Sequence, residues 1–347
     1  MRSGRIIQAA TALALLAAVS VQAPATRAQL DDEDGGAVPR KVETAVDSGL
    51  EFLAKSQQPD GRWGTQTPAA STGLAVMAFM ARGHVPGQGP YGENLNKGIE
   101  AILRLQTGDG YFGTGGQSGM YQHGICTVAL CETYGMVDET MQPRVRTAIS
   151  KAVRLILNAQ SIRKSPNDQG GWRYSPDTNQ SDTSVSGWQL MALRGASNAG
   201  ANIPENAIKD GINYIKGRAV FGGGFGYTNN QGANPALTGT GVLALSLMGQ
   251  PNMPEVRQGG DFLLNNIAQI GAGGVHYYYT MYYCSQAAWQ LGGKYWSVIN
   301  KQIMDSLLPR QRPNGSWPAG ESDETYATAM SILALSVPYR YLPIYQR

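Results

Sequence analysis

The sequence predicts an all-α protein, a closed (α/α)6 toroid of six helical hairpins, and three observations lead there. A glutamine–glycine–aromatic signature recurs along the chain, helices of two compositions alternate around it, and the spacing of the repeats is nearly even. Leu53 to Trp63 reads L-x3-Q-x3-G-x-W, with Gln57, Gly61 and Trp63. Ile102 to Phe112 repeats it with Gln106, Gly110 and Phe112, and Leu307 to Trp317 with Gln311, Gly315 and Trp317. Looser copies fill the interval. Ile156 and Gln160 precede a six-residue insertion and then Gly171-Trp172, while Gly223-Gly224-Phe225 and Gly273-Gly274-Val275 keep only the turn. The anchors Trp63, Phe112, Trp172, Phe225, Val275 and Trp317 lie 49, 60, 53, 50 and 42 residues apart, which makes one continuous array.

Each unit follows the same order. First comes a mixed helix such as Lys41–Ser56 or Glu205–Gly217, with apolar residues at helical spacing: Val42, Val46, Gly49, Leu50 and Leu53. A turn follows in which glycine supplies positive φ without steric cost. The second helix is apolar and small on every side: Thr72–Ala81, Gly124–Thr133, Ser184–Leu193, Thr238–Met248, Cys284–Leu291 and Thr325–Leu335. A helix apolar all round must be buried all round, and one with a single apolar stripe lies outside. Six inner helices inside six outer ones give a toroid; an open solenoid is the alternative. Polar first turns on the inner helices favour closure around a polar-mouthed cavity. Small residues such as Gly73, Ala78, Gly187, Gly241, Ala287 and Ala329 let inner helices approach. The glutamine, in the last turn of the outer helix, is expected to bond orphan carbonyls there or in the turn, with the indole packed against it.

The segment before the repeats is expected to be processed. Arg2 and Arg5 precede an apolar run from Ile6 to Val21, and Thr26-Arg27-Ala28 supplies small residues, the three-part pattern of a secretory signal over residues 1–28. The run falls short of the roughly 20 apolar residues that span a bilayer, and no later segment approaches that length. Residues 29–40, with Asp31-Asp32-Glu33-Asp34, read as an acidic flexible linker, and residues 41–347 as the single toroid domain. An exported protein, periplasmic, secreted or held at the cell surface, is the expectation.

Charge and cysteine content exclude other classes. The chain carries 28 basic and 25 acidic residues, and three of the basic ones lie in 1–28, which has no acid. The remainder is balanced, so no basic stripe points to nucleic acid. Cys126, Cys131 and Cys284 are too few for a disulfide framework and are expected as buried thiols.

L-x3-Q-x3-G-x-W resembles the QW repeat of squalene–hopene and oxidosqualene cyclases. The inner-helix starts Ser181-Asp182-Thr183-Ser184 and Asp323-Glu324-Thr325-Tyr326-Ala327-Thr328 are similar to those of the cyclases and of protein prenyltransferase β subunits. The likeness covers roughly residues 41–345, and the stretch Tyr277–Arg347 looks most like single-toroid cyclase-like bacterial proteins. The cyclases protonate an alkene or epoxide with the middle acid of D-x-D-D-T. Asn179-Gln180-Ser181-Asp182-Thr183 stands on that motif with only its third acid kept, Asp182, and serine is far too weak an acid to replace the middle one. The prenyltransferase zinc triad is absent too, with Thr325 where a cysteine is needed.

Candidate functional residues come from the inner-helix starts. Asp182 and Asp323 are the candidate catalytic acids, either for altered cyclase or transferase chemistry or as a carboxylate pair for glycoside hydrolysis. Each is also a normal helix N-cap. Tyr121, His123, Trp188, Tyr282, Tyr283 and Tyr326 are candidate ligand contacts, and the cluster Tyr277–Tyr283 suggests a wet cavity mouth. His123 and Cys126, three apart on one helix face, are two candidate metal ligands where a closed site needs about four, so no metal or other cofactor is expected. The function expected is binding of an isoprenoid, lipid or carbohydrate ligand, or of a protein partner, in or around the central cavity.

Overall fold

An inner helix with no polar face is stable only where other helices cover every side of it. The computed structural model, which describes residues 38–113, 118–274, 276–320 and 322–346, meets that condition with a ring. The outer helices are α1 (Arg40–Ser56), α3 (Gly92–Leu105), α5 (Gln142–Ser161), α7 (Glu205–Lys216), α9 (Pro254–Asn265) with the short α10 (Ile267–Gly271), and α12 (Gly293–Leu307). The inner helices are α2 (Pro68–Ala81), α4 (Gly119–Thr133), α6 (Thr183–Asn198), α8 (Pro235–Leu247), α11 (Tyr277–Leu291) and α13 (Glu324–Leu335). Each inner helix packs on the next, and α13 packs on α2, so the array closes and the open solenoid is excluded. No strand occurs among the described residues, only the isolated bridges Trp172 to Asp182 and Ala219 to Phe225. No helix among them is long and apolar enough to cross a membrane. Residues 1–28 and most of 29–40 lie outside the described residues; Val38 packs against the core and Arg40 opens α1.

Every residue of α2 after Pro68 is buried, whereas α1 buries only Val42, Ala45, Val46, Gly49, Leu50 and Leu53. Glycine sets the distance between inner helices at particular contacts. A methyl group on Gly73 would meet Ile125 of α4 at 3.0 Å, and one on Gly187 would meet Thr240 of α8 at 2.4 Å. Gly241 has a different neighbour: it makes room for the ring of Phe225.

The repeat signature works between units as well as within them. Gln57 donates both to Gly61 O in its own turn (3.0 Å) and to Asn94 O on α3 (2.9 Å). Gln106 reaches Gly110 O and Ala148 O on α5, and Gln160 reaches Gly170 O and Ala207 O on α7. Gln311 bonds Gly315 O (2.9 Å) and Ala45 O on α1 (2.7 Å), tying the last unit to the first. In three units a carbonyl in the last turns of the outer helix goes to the indole instead: Trp63, Trp172 and Trp317 donate Nε1–H to Leu53 O of α1, Ile156 O of α5 and Leu307 O of α12 at 2.7–2.8 Å.

The same aromatic residue is also fixed from the inner helix. Its backbone N–H donates to Thr72 for Trp63, to Ser186 for Trp172, to Thr238 for Phe225 and to Thr328 for Trp317, each at 2.9–3.1 Å. In the second unit the acceptor is Nδ1 of His123, 3.4 Å from the amide of Phe112. His123 therefore occupies the structural position that serine or threonine fills elsewhere.

Candidate functional site

The inner helices all start on one side of the ring and enclose a cavity of about 750 Å3. Its mouth is lined by residues that precede the helices, Gln66, Thr67, Ser118, Asn234, His276 and Ser322. One turn further in stand the hydroxyl groups of Tyr121, Ser184, Tyr279 and Tyr326, joined from the preceding loops by Tyr174 and Tyr227. Ile125, Trp188 and Met330 form the floor. At 1.5 Å per residue, Met330 lies about 10 Å along α13 from its N-cap Asp323, the neighbour of Ser322. The wall thus passes from amides and hydroxyls at the mouth to aromatic and aliphatic groups below. Its described lining residues include no Asp, Glu, Lys or Arg. Burial raises the phenols of Tyr121 and Tyr279 well above their ordinary range, so both remain neutral.

Three of the six ligand contacts expected from sequence are in this wall: Tyr121, Trp188 and Tyr326. Three are not. His123 is fully buried between the Phe112 amide and Ala152 O, 3.2 Å from its Nε2, and burial pushes its imidazole down to about 4. It faces an outer helix, since a residue two positions from Tyr121 on a helix points some 160° away from it. Tyr282 and Tyr283 are also fully buried. Tyr282 stacks on Trp188, with centroids 5.7 Å apart and planes within 6°, and its hydroxyl meets that of Tyr345. The tyrosine cluster does not form a wet mouth. Helical rotation spreads it, so that Tyr277 bonds Ser306 O, Tyr278 bonds Pro318 O, and Tyr279 alone of the five lines the cavity.

The pairing of His123 with Cys126 as metal ligands fails for the same reason. The Cys126 thiol donates to Ala69 O at 3.2 Å, and burial raises it far above the thiolate range. Among the described residues no three His, Cys, Asp or Glu side chains gather as a metal site would require. All three cysteines are buried free thiols.

The two candidate acids are apart. Asp182 caps α6 and Asp323 caps α13, which stand on opposite sides of the six-helix ring. Asp323 accepts from the Tyr326 amide (3.0 Å) and, with its other oxygen, from the Thr65 amide of the first unit (2.9 Å), so it closes the ring. Asp182 has no exposed surface. One oxygen accepts from the Val185 amide (2.9 Å) and the Ser184 hydroxyl (3.2 Å); the other has no hydrogen-bond partner, with Arg173 Nε 3.8 Å away. Burial pushes its carboxyl up to about 6, against the capping amide, the Ser184 hydroxyl and Arg173. Neither acid lines the cavity, and they do not form a carboxylate pair.

Tyr174, Tyr227 and Ser184 were not singled out from the sequence as site residues, and Tyr279 only as one member of the cluster Tyr277–Tyr283. The first two had a detectable signal: each lies two residues after a turn aromatic, in Trp172-Arg173-Tyr174 and Phe225-Gly226-Tyr227. Their hydroxyls bond each other, and the Arg173 guanidinium lies over both rings, 5.1 and 5.8 Å from the centroids.

The architecture is shared with several solved structures. A type II terpene cyclase from Scytonema is 14% identical, with a TM-score of 0.58 over 87% of this chain and 99% of that one. Protein geranylgeranyltransferase-I of Candida albicans, complexed with GGPP, is 10% identical, with a TM-score of 0.53 over 86% of this chain and 93% of that one. The GH76 α-mannanase of Bacteroides thetaiotaomicron is 9% identical, with a TM-score of 0.56 over 86% and 96%. The same cyclase has also been solved with geranylgeranyl dihydroxybenzoate bound, there as substrate. No family model matches the sequence, and no curated protein does. The chain is an α/α toroid, the fold that terpene cyclases, protein prenyltransferases and some glycosidases share.

Proposed function

We propose that the protein is an exported binding toroid whose cavity takes an uncharged amphiphile of isoprenoid type, with its apolar body on Ile125, Trp188 and Met330 and its hydroxyl at the mouth. The observation that carries this reading is the polarity gradient of the wall together with the absence of charge from its described lining. A diphosphate would need cations to meet its charge. An oligosaccharide would leave its hydroxyls unpaired against the floor. The isoprenoid bound to a cyclase of the same fold agrees with that choice. The absence of the middle D-x-D-D acid and of the zinc triad supports binding over the reactions of those relatives. The signal-like residues 1–28 support export.

Thermal denaturation with geranylgeraniol, geranylgeranyl diphosphate and a neutral oligosaccharide tests the reading. Geranylgeraniol at a hundred times its Kd should stabilise by about 2.7 kcal/mol, a rise of several degrees in Tm. Trp188→Ala should abolish the rise. A rise with the diphosphate or the sugar alone would overturn the proposal.

One observation favours a second reading. The Ser184 hydroxyl lines the cavity and donates to Asp182, a buried acid that holds its proton to about pH 6. Such a group could pass a proton to a bound alkene through Ser184. For that transfer the bond must reverse: a protonated Asp182 donates to Ser184 Oγ while the Ser184 hydroxyl delivers its own proton to a bound alkene, which leaves the Asp182 carboxylate facing Arg173. Turnover of squalene or a prenyl substrate that disappears in Asp182→Asn would establish this reading in place of the first.

A further inference from the structure

The far end of the ring, where the inner helices finish, is closed by the chain's own C-terminal segment. After α13 the chain makes two 3-10 turns, Val337–Tyr339 and Pro343–Tyr345. Between them stands Arg340, whose φ of 58° is the one positive value among described residues other than glycine. Leu342, Ile344 and Tyr345 are buried against the ends of the inner helices. Gln290 of α11 donates to Tyr345 O at 2.9 Å. Arg82 lies over the Tyr339 ring and Arg340 over Trp289, at 4.6 and 4.8 Å. Tyr345 packs edge-on to Tyr282, which stacks on Trp188 in the cavity floor. The segment is thus the outermost of three aromatic layers beneath the cavity.

Under this segment lies Glu132, near the end of α4 and 4% exposed. Its Oε2 accepts from the Ile344 amide at 3.2 Å. The titratable groups that face it are the Cys131 thiol beside it, the Tyr282 hydroxyl from α11 and the Tyr345 hydroxyl from the segment itself. No arginine or lysine is among the described groups that act on it. An ionised carboxylate in this position is desolvated with no cation opposite among the described residues, and its one described hydrogen bond goes to the segment that covers it.

We propose that residues 337–346 are a proton-linked plug, which seats when Glu132 is neutral and loosens when Glu132 ionises, opening the far end of the ring. Burial pushes the Glu132 carboxyl up to about 7, against the pull of the Ile344 amide. Released into water, the group returns to the ordinary range near 4.5. The seated state therefore holds the proton more tightly. The contribution to seating is complete below the released-state value and is lost as pH rises through about 7. Between pH 5 and pH 8 the open fraction should rise on the order of ten- to a hundred-fold.

Cys131 reports on the plug directly. It adjoins Gly195 of α6, as does the side chain of Ile344, at the end of the ring that the plug covers. Cys126 and Cys284 lie mid-helix, away from the plug, and are held against Ala69 O and Pro235 O at the starts of α2 and α8. The full chain is alkylated with iodoacetamide from pH 5 to pH 8 and labelling at each cysteine is read by peptide mass, alongside hydrogen exchange of the C-terminal peptide corrected for its intrinsic rate. The ratio of Cys131 to Cys126 labelling should rise at least ten-fold with pH in the wild type. It should stay low and flat in Glu132→Gln, which keeps an acceptor for Ile344 without the charge. Tyr345→Phe should raise the ratio at every pH with its slope unchanged. A flat wild-type ratio, or a slope that survives in Glu132→Gln, overturns the proposal; the wild-type profile decides even if the glutamine variant does not fold.

Discussion

Replacing Gln160 with alanine tests whether the repeat glutamines hold the ring together rather than act on a ligand. Gln160 ends α5 at 6% exposure and donates to Gly170 O and Ala207 O, both at 2.9 Å. The first acceptor is in its own turn and the second is on α7, so the change severs a bond between neighbouring units. Two neutral hydrogen bonds contribute about 1 kcal/mol each, and the emptied space and less well satisfied carbonyls add to that, for a total of about 2–4 kcal/mol. Urea unfolding followed by far-ultraviolet circular dichroism measures the difference. Gln142→Ala at the exposed start of the same helix is the control, expected within about 0.5 kcal/mol of wild type. Equal stabilities for the two variants would refute the clasp. So would loss of ligand binding by a Gln160→Ala protein of normal stability.

Two other perturbations probe the turns and the buried acid. Gly315 has a φ of 88°, and a Cβ there would lie 2.2 Å from Ser48 O on α1, whereas Gly200, with a φ of 87°, has nothing within 4 Å. Gly200→Ala should cost only the left-handed strain of about 1–2 kcal/mol, while Gly315→Ala should cost clearly more or fail to fold, as read by thermal melts. Asp182 has its folded pKa raised to about 6 from 3.8, so the stability tied to its proton is complete below 3.8 and is lost as pH rises through about 6. Asp182→Asn keeps the cap on Val185 and should remove about 3 kcal/mol of pH dependence from that window; identical pH–stability curves for the two proteins would show that the carboxyl is not held neutral.

The signature residues were legible in sequence because their work is local. The distance from Gln57 to Gly61 is four residues, and from Trp63 to Leu53 ten, so hairpin geometry fixes those bonds wherever the hairpin sits. The second bond of each glutamine was not legible, since its acceptor is some 40 residues away, or 266 in the bond from Gln311 to Ala45. The cavity was read in part for a similar reason. Tyr121, Trp188 and Tyr326 stand at the first turns where a polar mouth was expected. Which of several neighbouring aromatics faces inward depends on the rotation of each helix about its axis, and in α11 that rotation turns Tyr279 inward and buries Tyr282 and Tyr283.

By itself, then, the sequence determined the helix types and their order, because burial of apolar faces and glycine-turn chemistry are properties of short stretches of chain, while closure into a ring rests on the packing of α13 against α2. Tertiary structure decided the rest. It placed Asp182 and Asp323 on opposite sides of the ring as caps. It turned His123 from a candidate ligand contact into a substitute for the serine or threonine of other units. It also brought the C-terminal segment onto Glu132, 212 residues before Ile344 in the chain. The physical reason is that a side chain's charge, solvation and neighbours depend on what packs against it from distant segments, and periodicity along the chain carries no record of that.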